Sequence, residues 1–348
     1  MKRVLFIHTG GTLGMSPNPH GGPLRPGPLD PDLLGRIPEL SEVAEVDLHI
    51  LMSKDSSNLV PSDWETIGAH ITEHLDTYDG VVVLHGTDTM VFTASALSFM
   101  FRELDRPIIL TGSQRPLGSV PTDARQNIVH ACMFATFDIP EVAVLFGAQL
   151  FRGNRTTKLA VSNYRAFASP NCPPLAEVGV DVRRWPHIRP GGGLPCLRPG
   201  FGEEVAQLPL FPGFDGKIIR ALVDSGIRGI VLQGFGAGNL PMGRGVPEAV
   251  RAAVDQGVVV AVQSQCLQGR AQLGLYEGGQ AALDAGAISG GDMTAEASVV
   301  KLMYLLGQGL TPSTVRRLFC RNLAGELTTD EISTPMEVEG LLNPSQDA

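Results

Sequence analysis

The stretch RVLFIHTGGTLGM, residues 3–15, decides the fold of this chain. Its four apolar residues at positions 4–7 predict a short buried strand, which stops at the polar run His8-Thr9-Gly10-Gly11-Thr12. The paired glycines allow a sharp turn and a close approach of the backbone to a ligand. Open α/β sheets bind ligands beyond the carboxyl ends of their parallel strands. We therefore predict a ligand site where this strand ends.

The same design occurs again in VVVLHGTDTM, residues 81–90, where an apolar run ends in His85-Gly86-Thr87-Asp88-Thr89. Two further predicted strands end in small polar residues, one at Ser56-Ser57 and the other at Ser113. Because the carboxyl ends of parallel strands share one edge of a sheet, we expect these four loops to form one site.

Apolar strand patterns alternate with helical patterns up to residue 146, which predicts an α/β fold. We expect a larger N-terminal domain with an open, mostly parallel sheet and helices on both faces, and a smaller C-terminal α/β domain. The predicted boundaries are 1–190 for the first domain, with a lid loop at 14–28, then a linker at 191–212 and the second domain at 213–348. Local predictions include a helix over 30–40, a helix capped by Ser62-Asp63, a helix over 91–104, and a hairpin or excursion at 151–158 that turns at Gly153-Asn154.

The composition of the chain limits which binding partners and which cellular compartment we expect for the protein. The net charge of −9 argues against nucleic acid, which calls for a basic face. Five scattered cysteines without a CxxC pair fit free thiols in a reducing compartment. No run approaches the length of a membrane span, and the start is too short for a signal peptide. We expect a cytoplasmic protein that contacts neither membrane nor nucleic acid.

The residues at the predicted site suggest a reaction. Hydroxyls are weak nucleophiles and need a base or a neighbouring cation. Asp88 is adjacent to Thr87, and Lys158 could fold back from the excursion. The glycines at 10, 11 and 86 would free main-chain N–H groups to stabilise an oxyanion. The pattern predicts acyl-group hydrolysis without a metal or cofactor, with a binding protein of unspecified ligand as the alternative.

Several of these blocks also resemble the signature sequences of bacterial L-asparaginases. They are HTGGTLG at 8–14, LHGTDTM at 84–90, TGSQRP at 111–116, RGNRTTK at 152–158, Gln265-Cys266, and GGDMTAE at 290–296. The cytoplasmic type I branch is the more similar one, and the resemblance covers about residues 1–330.

The resemblance implies roles for individual residues. Thr12 matches the covalent nucleophile, and Thr87, Asp88 and Lys158 match the set that activates the nucleophile or water. Ser56 and Ser57, with Asp88, match the residues that hold the α-carboxylate and α-amino groups of the substrate. Gly11 and Ser113 belong to the same predicted substrate site. The family architecture further implies a homodimer or homotetramer.

The lid departs from the family pattern. A tyrosine of the family hydrogen-bonds the first threonine, whereas Gly22 stands at that place here and no tyrosine precedes Tyr78. Three outcomes are open: the Lys158 relay suffices, His20 replaces the tyrosine, or the protein is slow or inactive on asparagine.

The type I branch also has a regulatory asparagine site, which would involve Thr157, Asn239 and Cys266. Gln233 stands where an arginine of that site is expected, and a buried structural thiol at position 266 is the alternative reading.

Two weaker motifs receive structural interpretations. The H-x-x-E-H pattern from His70 to His74 occurs in some zinc proteases, but no distal carboxylate ligand is identifiable. We interpret it as a solvated helix face. The run at 234–239 is interpreted as a turn, since it has G-x-G-x-G spacing and leads to Pro241 instead of a helix.

These observations together predict a cytoplasmic amidohydrolase that converts L-asparagine and water to L-aspartate and ammonia through a threonine nucleophile. An amidase for glutamine or a modified asparagine is the alternative within the same class. A non-catalytic asparagine-binding protein is the alternative outside it.

Overall fold

The computed structural model describes residues 1–14, 32–192 and 196–328. The chain divides into two compact units, Met1–Arg198 and Pro199–Ala348. The predicted lid loop, including His20 and Gly22, lies outside the described residues except for position 14.

The first unit is built around one large sheet. The strands of this sheet are β1 (Arg3–Gly10), β2 (Glu45–Lys54), β3 (Gly80–Leu84), β4 (Ile108–Thr111), β5 (Val142–Phe146), β6 (Gln149–Arg152), β9 (Ala176–Val178) and β10 (Val182–Arg184). Two short strands, β7 (Thr157–Lys158) and β8 (Phe167–Ala168), form a separate pair. Its helices are α1 (Leu40–Val43), α2 (Pro61–His74), α3 (Met90–Met100) and α4 (Ala124–Ala135).

The strand order in the described sheet is β10-β9-β6-β5-β4-β3-β1-β2. Strands β2, β1, β3, β4 and β5 pair in parallel, whereas β6, β9 and β10 extend the sheet with antiparallel pairs. The predicted α/β class with a mostly parallel N-terminal sheet is confirmed. The carboxyl ends of the parallel strands meet at one edge, so the predicted loops do share one side of the unit.

Both faces of the central strands β1, β3, β4 and β5 are buried, as the continuous apolar runs predict for parallel strands. Val4 and Phe6 of β1 pack with Val82 of β3 and with Ile128 of α4 on one face. The alternate residues, such as Leu5, are equally buried. On that opposite face α3 contacts β4 and β5, and α2 contacts α3.

The second unit has a smaller parallel sheet in the order β11-β12-β13-β14. Its strands are β11 (Val205–Pro209), β12 (Gly229–Gly234), β13 (Val259–Ser264) and β14 (Ile288–Ser289), and its helices are α5 (Lys217–Asp224), α6 (Val246–Asp255), α7 (Glu277–Asp284), α8 (Ala295–Gly307) and α9 (Pro312–Phe319). The predicted second α/β unit is therefore present. Strand β11 lies inside the segment 191–212 that we assigned to the linker; the predicted domain boundaries themselves stay predictions.

Two of the predicted helices have different bounds in the structure, in each case because of a proline. Within 32–40 the structure has only a 3-10 turn, Leu34–Arg36, and the first residue of α1, because Pro38 supplies no N–H to continue a helix. Helix α2 begins earlier than the predicted Ser62-Asp63 cap. Pro61 occupies its first turn, where a missing N–H costs nothing, and the Asp63 carboxylate accepts the Val60 N–H at 3.0 Å.

Two further local predictions differ from the structure. Helix α3 ends at Met100, where the predicted helix continued to 104, because Phe101 leaves the helical conformation and forms a bridge with Leu197. The hairpin turn falls at Gly147, which has a φ of +64° and joins β5 to β6, whereas Gly153 begins a 3-10 turn. Among the described helices, none combines the length and hydropathy that a membrane span requires.

Candidate active site

The loops after β1 and β3 pack backbone against backbone. Gly11 has a φ of +85°, and a Cβ atom there would lie 2.4 Å from the Cα of Gly86. Gly10 has a φ of +118°, and a Cβ atom there would lie 2.1 Å from the carbonyl oxygen of Lys54. Only glycine fits both positions, and the contact brings half-buried Thr12, the first residue of a 3-10 turn, to the loop that carries Thr87.

Two of the predicted oxyanion donors are already engaged. The Gly10 N–H donates to His8 Nδ1 at 2.9 Å, and the Gly11 N–H donates to the Lys54 carbonyl at 3.1 Å. The prediction that these two N–H groups stabilise an oxyanion is therefore wrong, because the groups hold the loop itself in place. The oxyanion role of Gly86 stays a prediction.

Lys158 joins Thr87 and Asp88. Its Nζ donates to Thr87 Oγ1 at 2.8 Å and lies 2.6 Å from Asp88 Oδ1. The short strand β7 carries Lys158 and is held by β8. The Lys158 side chain is 15% exposed and Asp88 is 66% exposed, so the ion pair lies where a buried ammonium meets solvent. A cation at this distance stabilises negative charge that develops on the threonine oxygen.

Gln114 is a contact of Thr87 that the sequence pattern does not predict. The Thr87 hydroxyl donates to Gln114 Oε1 at 3.3 Å, and the Gln114 amide donates to the Ala160 carbonyl at 3.2 Å. The Thr87 hydroxyl thus accepts from Lys158 and donates to Gln114, which fixes the direction of its proton. The position of Gln114 next to Ser113, at the polar end of a strand, was the one feature of the sequence that could have indicated a role at this site.

Two residues at the start of α4 hold the loop after β4. The Asp123 carboxylate accepts the N–H groups of Gln114 and Arg115, at distances of 3.0 to 3.2 Å. Asn127 donates its amide to the Gly112 carbonyl at 2.8 Å. Asp123 is the N-cap of α4 and Asn127 lies in its first turns, and the sequence offered no sign that they reach back to the loop.

The serine pair lies in a 3-10 turn after β2. Ser56 is buried, and its carbonyl accepts the Thr89 hydroxyl at 2.7 Å, which ties this turn to the loop after β3. Ser57 is exposed and donates its hydroxyl to Asp55 Oδ1 at 2.8 Å. Binding a substrate carboxylate through Ser57 therefore requires the hydroxyl to turn from Asp55.

Ser113 has a buried hydroxyl without a hydrogen-bond partner in the described part of the chain. The residue is 1% exposed. An unpaired buried hydroxyl costs stability, so its retention beside the Thr87 loop favours a ligand contact.

Two buried histidines, His8 and His85, lie at the start of the loops that follow β1 and β3 and hydrogen-bond to them. Burial lowers the pKa of His8 to about 4 and the pKa of His85 to about 4. His85 is neutral at pH 7, so its Nδ1 donates to the Gly86 carbonyl at 2.7 Å and its Nε2 accepts from Thr93 at 2.9 Å. These rings are structural supports that carry no charge at neutral pH.

The predicted regulatory residues fall in different units. Thr157 is buried in β7 of the first unit, whereas Asn239 and Cys266 follow β12 and β13 in the second. Cys266 is exposed, so the alternative of a buried thiol is wrong. Phe235 and Asn239 pair across the predicted turn, and the Gln233 carbonyl accepts the side-chain amide of Gln265 at 2.8 Å.

Known proteins resemble this chain over nearly its whole length. Residues 3–187 match the family model described as Asparaginase, N-terminal, and residues 204–319 match Glutaminase/Asparaginase C-terminal domain. L-asparaginase 1 of Escherichia coli strain K12 is 39% identical over 336 residues, which cover 95% of this chain and 99% of that protein.

Solved structures give the same result. The crystal structure of L-asparaginase I from Vibrio cholerae is 36% identical, with a TM-score of 0.86, and the match covers 94% of this chain and 99% of that one. The thermostable L-asparaginase from Thermococcus kodakarensis is 36% identical, with a TM-score of 0.87 and coverage of 94% and 100%.

Proposed function

The chain belongs to the asparaginase family, and from this premise we propose that it hydrolyses the side-chain amide of L-asparagine to L-aspartate and ammonia. Thr12 is the proposed nucleophile. The contact between Lys158 Nζ and both Thr87 Oγ1 and Asp88 Oδ1 carries the proposal, because residues far apart in sequence converge there on a threonine hydroxyl. Relatives of nearly the same length that bear the name L-asparaginase support the choice of substrate.

The reaction runs in two steps. Thr12 Oγ attacks the side-chain carbonyl carbon, its proton passes to the leaving nitrogen, and ammonia departs as the C–N bond breaks. Water then adds to the resulting ester of Thr12 and releases aspartate. The ammonium of Lys158 lowers the cost of forming an alkoxide, and Asp88 keeps that ammonium in place. The Thr87–Lys158–Asp88 set would in this way activate the nucleophile or the attacking water, while Gly86 contributes an oxyanion donor.

The substrate would be held by its α-amino and α-carboxylate groups. The exposed part of Asp88 suits an α-ammonium, since one of its oxygens already faces Lys158. The hydroxyls of Ser56 and Ser57 suit the α-carboxylate, and the unpaired hydroxyl of Ser113 offers a further polar contact. Gly11 would keep the floor of the site free of side chains.

Ammonia release by the purified chain across asparagine concentrations tests the proposal, with glutamine measured in parallel. We expect saturable release from asparagine, and expect Thr12→Ala to lower kcat by about 10⁴-fold or more while the protein still folds. Thr66→Ala is the matched control, because Thr66 is exposed on α2 and its hydroxyl donates to the Ser62 carbonyl of the same helix.

Three results would contradict the assignments. Undiminished activity of Thr12→Ala would exclude Thr12 as nucleophile. Turnover of glutamine alone would move the substrate to the alternative amide, and heat of asparagine binding without ammonia release would favour a binding protein.

The cellular and quaternary setting is proposed from the family resemblance. We infer a cytoplasmic homodimer or homotetramer, with regulation by asparagine through Thr157, Asn239 and Cys266. A sigmoidal dependence of rate on asparagine, made hyperbolic by Cys266→Ala, would support the regulatory part, and sedimentation would measure the assembly.

A further inference from the structure

Three histidines gather away from the proposed active site, on the side of the sheet covered by α2. His49 belongs to β2, and His70 and His74 lie one helical turn apart on α2. One ring nitrogen of each residue lies within 4.8 Å of those of the other two. The interpretation of the H-x-x-E-H motif as a solvated helix face is therefore wrong for both histidines, which are half-buried against β2.

We propose that His49, His70 and His74 form a binding site for one divalent transition-metal ion of the Zn²⁺ class. Three imidazoles and a water molecule make a common tetrahedral ligand set for Zn²⁺. No distal carboxylate ligand is identifiable from the sequence. The third ligand is instead a histidine from the neighbouring strand, which no spacing along the chain reveals.

The distances fit such an ion. Zn–N bonds of 2.0–2.1 Å at tetrahedral angles put two ligand nitrogens about 3.3 Å apart. His49 Nδ1 and His70 Nε2 are already 3.1 Å apart. The centroid of the His74 ring lies 4.5 Å from the centroid of the His70 ring and 4.8 Å from that of the His49 ring. The three ligand nitrogens lie within 4.8 Å of one another, so a shift of up to roughly 1.5 Å at the His74 side chain closes the set.

The orientation of His74 also suits a ligand. Its Nδ1 lies 2.8 Å from the His70 carbonyl oxygen, so Nδ1 carries the proton and donates it. The lone pair is then on Nε2. Metal-binding histidines usually donate their second ring N–H to a carbonyl or carboxylate in this way, which fixes the tautomer and the ring.

The ion would clamp two elements that flank the serine turn. Strand β2 leads into Ser56–Asn58 and α2 follows it, and β2 is the last strand of the described sheet. An ion held by His49 on one element and His70 on the other adds a link between them. Because it binds only the folded chain, it stabilises that chain against unfolding.

Titration of the untagged full-length chain with Co²⁺, followed by visible absorption, tests the site directly. We expect a d–d spectrum of tetrahedral type that saturates at one ion per chain and is displaced by Zn²⁺. His49→Gln and His74→Gln should each weaken binding by about 100-fold. His187→Gln is the matched control, since His187 lies outside the cluster and should leave the affinity unchanged.

Unfolding and activity measurements keep the test independent of folding defects. Zn²⁺ should raise the thermal midpoint of the wild type and the His187→Gln variant, and should leave that of His49→Gln unchanged. Ammonia release from asparagine, measured without added metal, reports whether each variant has folded. A wild-type chain that shows no saturable Co²⁺ spectrum, or variants that bind as the wild type does, would overturn the proposal.

Discussion

Replacement of Lys158 by methionine removes the charge from the proposed site and keeps most of the side-chain volume. The structure gives Lys158 Nζ two partners, Thr87 Oγ1 at 2.8 Å and Asp88 Oδ1 at 2.6 Å. Loss of one preorganised donor at an active site lowers kcat by about 10²–10³-fold. Because this donor is a charged group that is largely buried, we expect the upper end, about 10³-fold, or about 4 kcal/mol of transition-state stabilisation.

The same substitution should hardly affect stability. Asp88 is 66% exposed, so it is not stranded in the interior when its partner is lost. The buried ammonium itself is replaced by an apolar side chain of similar length, so the substitution leaves no unpaired charge in the interior. We expect the urea midpoint of Lys158→Met to stay close to that of the wild type.

Steady-state ammonia release gives kcat and KM for Lys158→Met, with Lys217→Met as the matched control. Lys217 is 76% exposed on α5 and pairs with Asp215 at 3.8 Å, so its loss should leave both constants unchanged. An interaction made mainly in the transition state lowers kcat and kcat/KM together. A folded Lys158→Met protein with kcat within about tenfold of wild type would refute the reasoning.

Three further predictions concern stability, each measured by urea unfolding. Gly11→Ala should cost about 3 kcal/mol or more, because the new Cβ meets backbone, whereas Gly213→Ala, with a φ of +94° and open space, should cost about 1 kcal/mol. The pKa of His85 is about 4 in the folded chain. The contribution of its neutral ring to the free energy of unfolding is therefore fully present above pH 6.5 and is lost as the pH falls towards 4, by up to about 3 kcal/mol. His85→Gln should flatten that dependence on pH. Lys301→Met should cost about 3–5 kcal/mol, because Lys301 and Glu326 are both 0% exposed and 2.5 Å apart, and adding Glu326→Gln should recover part of the loss.

The parts of the fold that sequence predicts are those with a local cause. The buried strands show as apolar runs, and the polar loops at residues 10–12, 56–57, 87–88 and 113 show as abrupt ends of those runs. Helix starts were less accurate, because Pro61 and Pro38 act through one missing N–H each and not through periodicity. Strand β6 was missed since its partner β5 is joined to it by a turn at Gly147 with no strong pattern.

The parts of the site that sequence does not predict depend on contacts between distant elements. Nothing near Asp123 or Asn127 indicates that these residues hold the loop after β4. The sequence likewise gives no indication that the N–H groups of Gly10 and Gly11 are already engaged in hydrogen bonds. His49 illustrates the limit most clearly, because its neighbours His70 and His74 become visible as its partners only when β2 and α2 are packed together.

The proposed catalytic residues are spread over the chain from Thr12 to Lys158: Thr12 follows β1, Thr87 and Asp88 follow β3, and Lys158 lies in β7. No fragment that lacks residue 158 can contain the full set. Because β1 to β5 pair in parallel, the contacts that link the loop of Thr12, the loop of Thr87 and Lys158 span long stretches of chain, and we expect them to form late in folding. Catalysis in this protein is thus an all-or-none property of the first unit, which a ribosome must complete past its seventh strand before any turnover can begin.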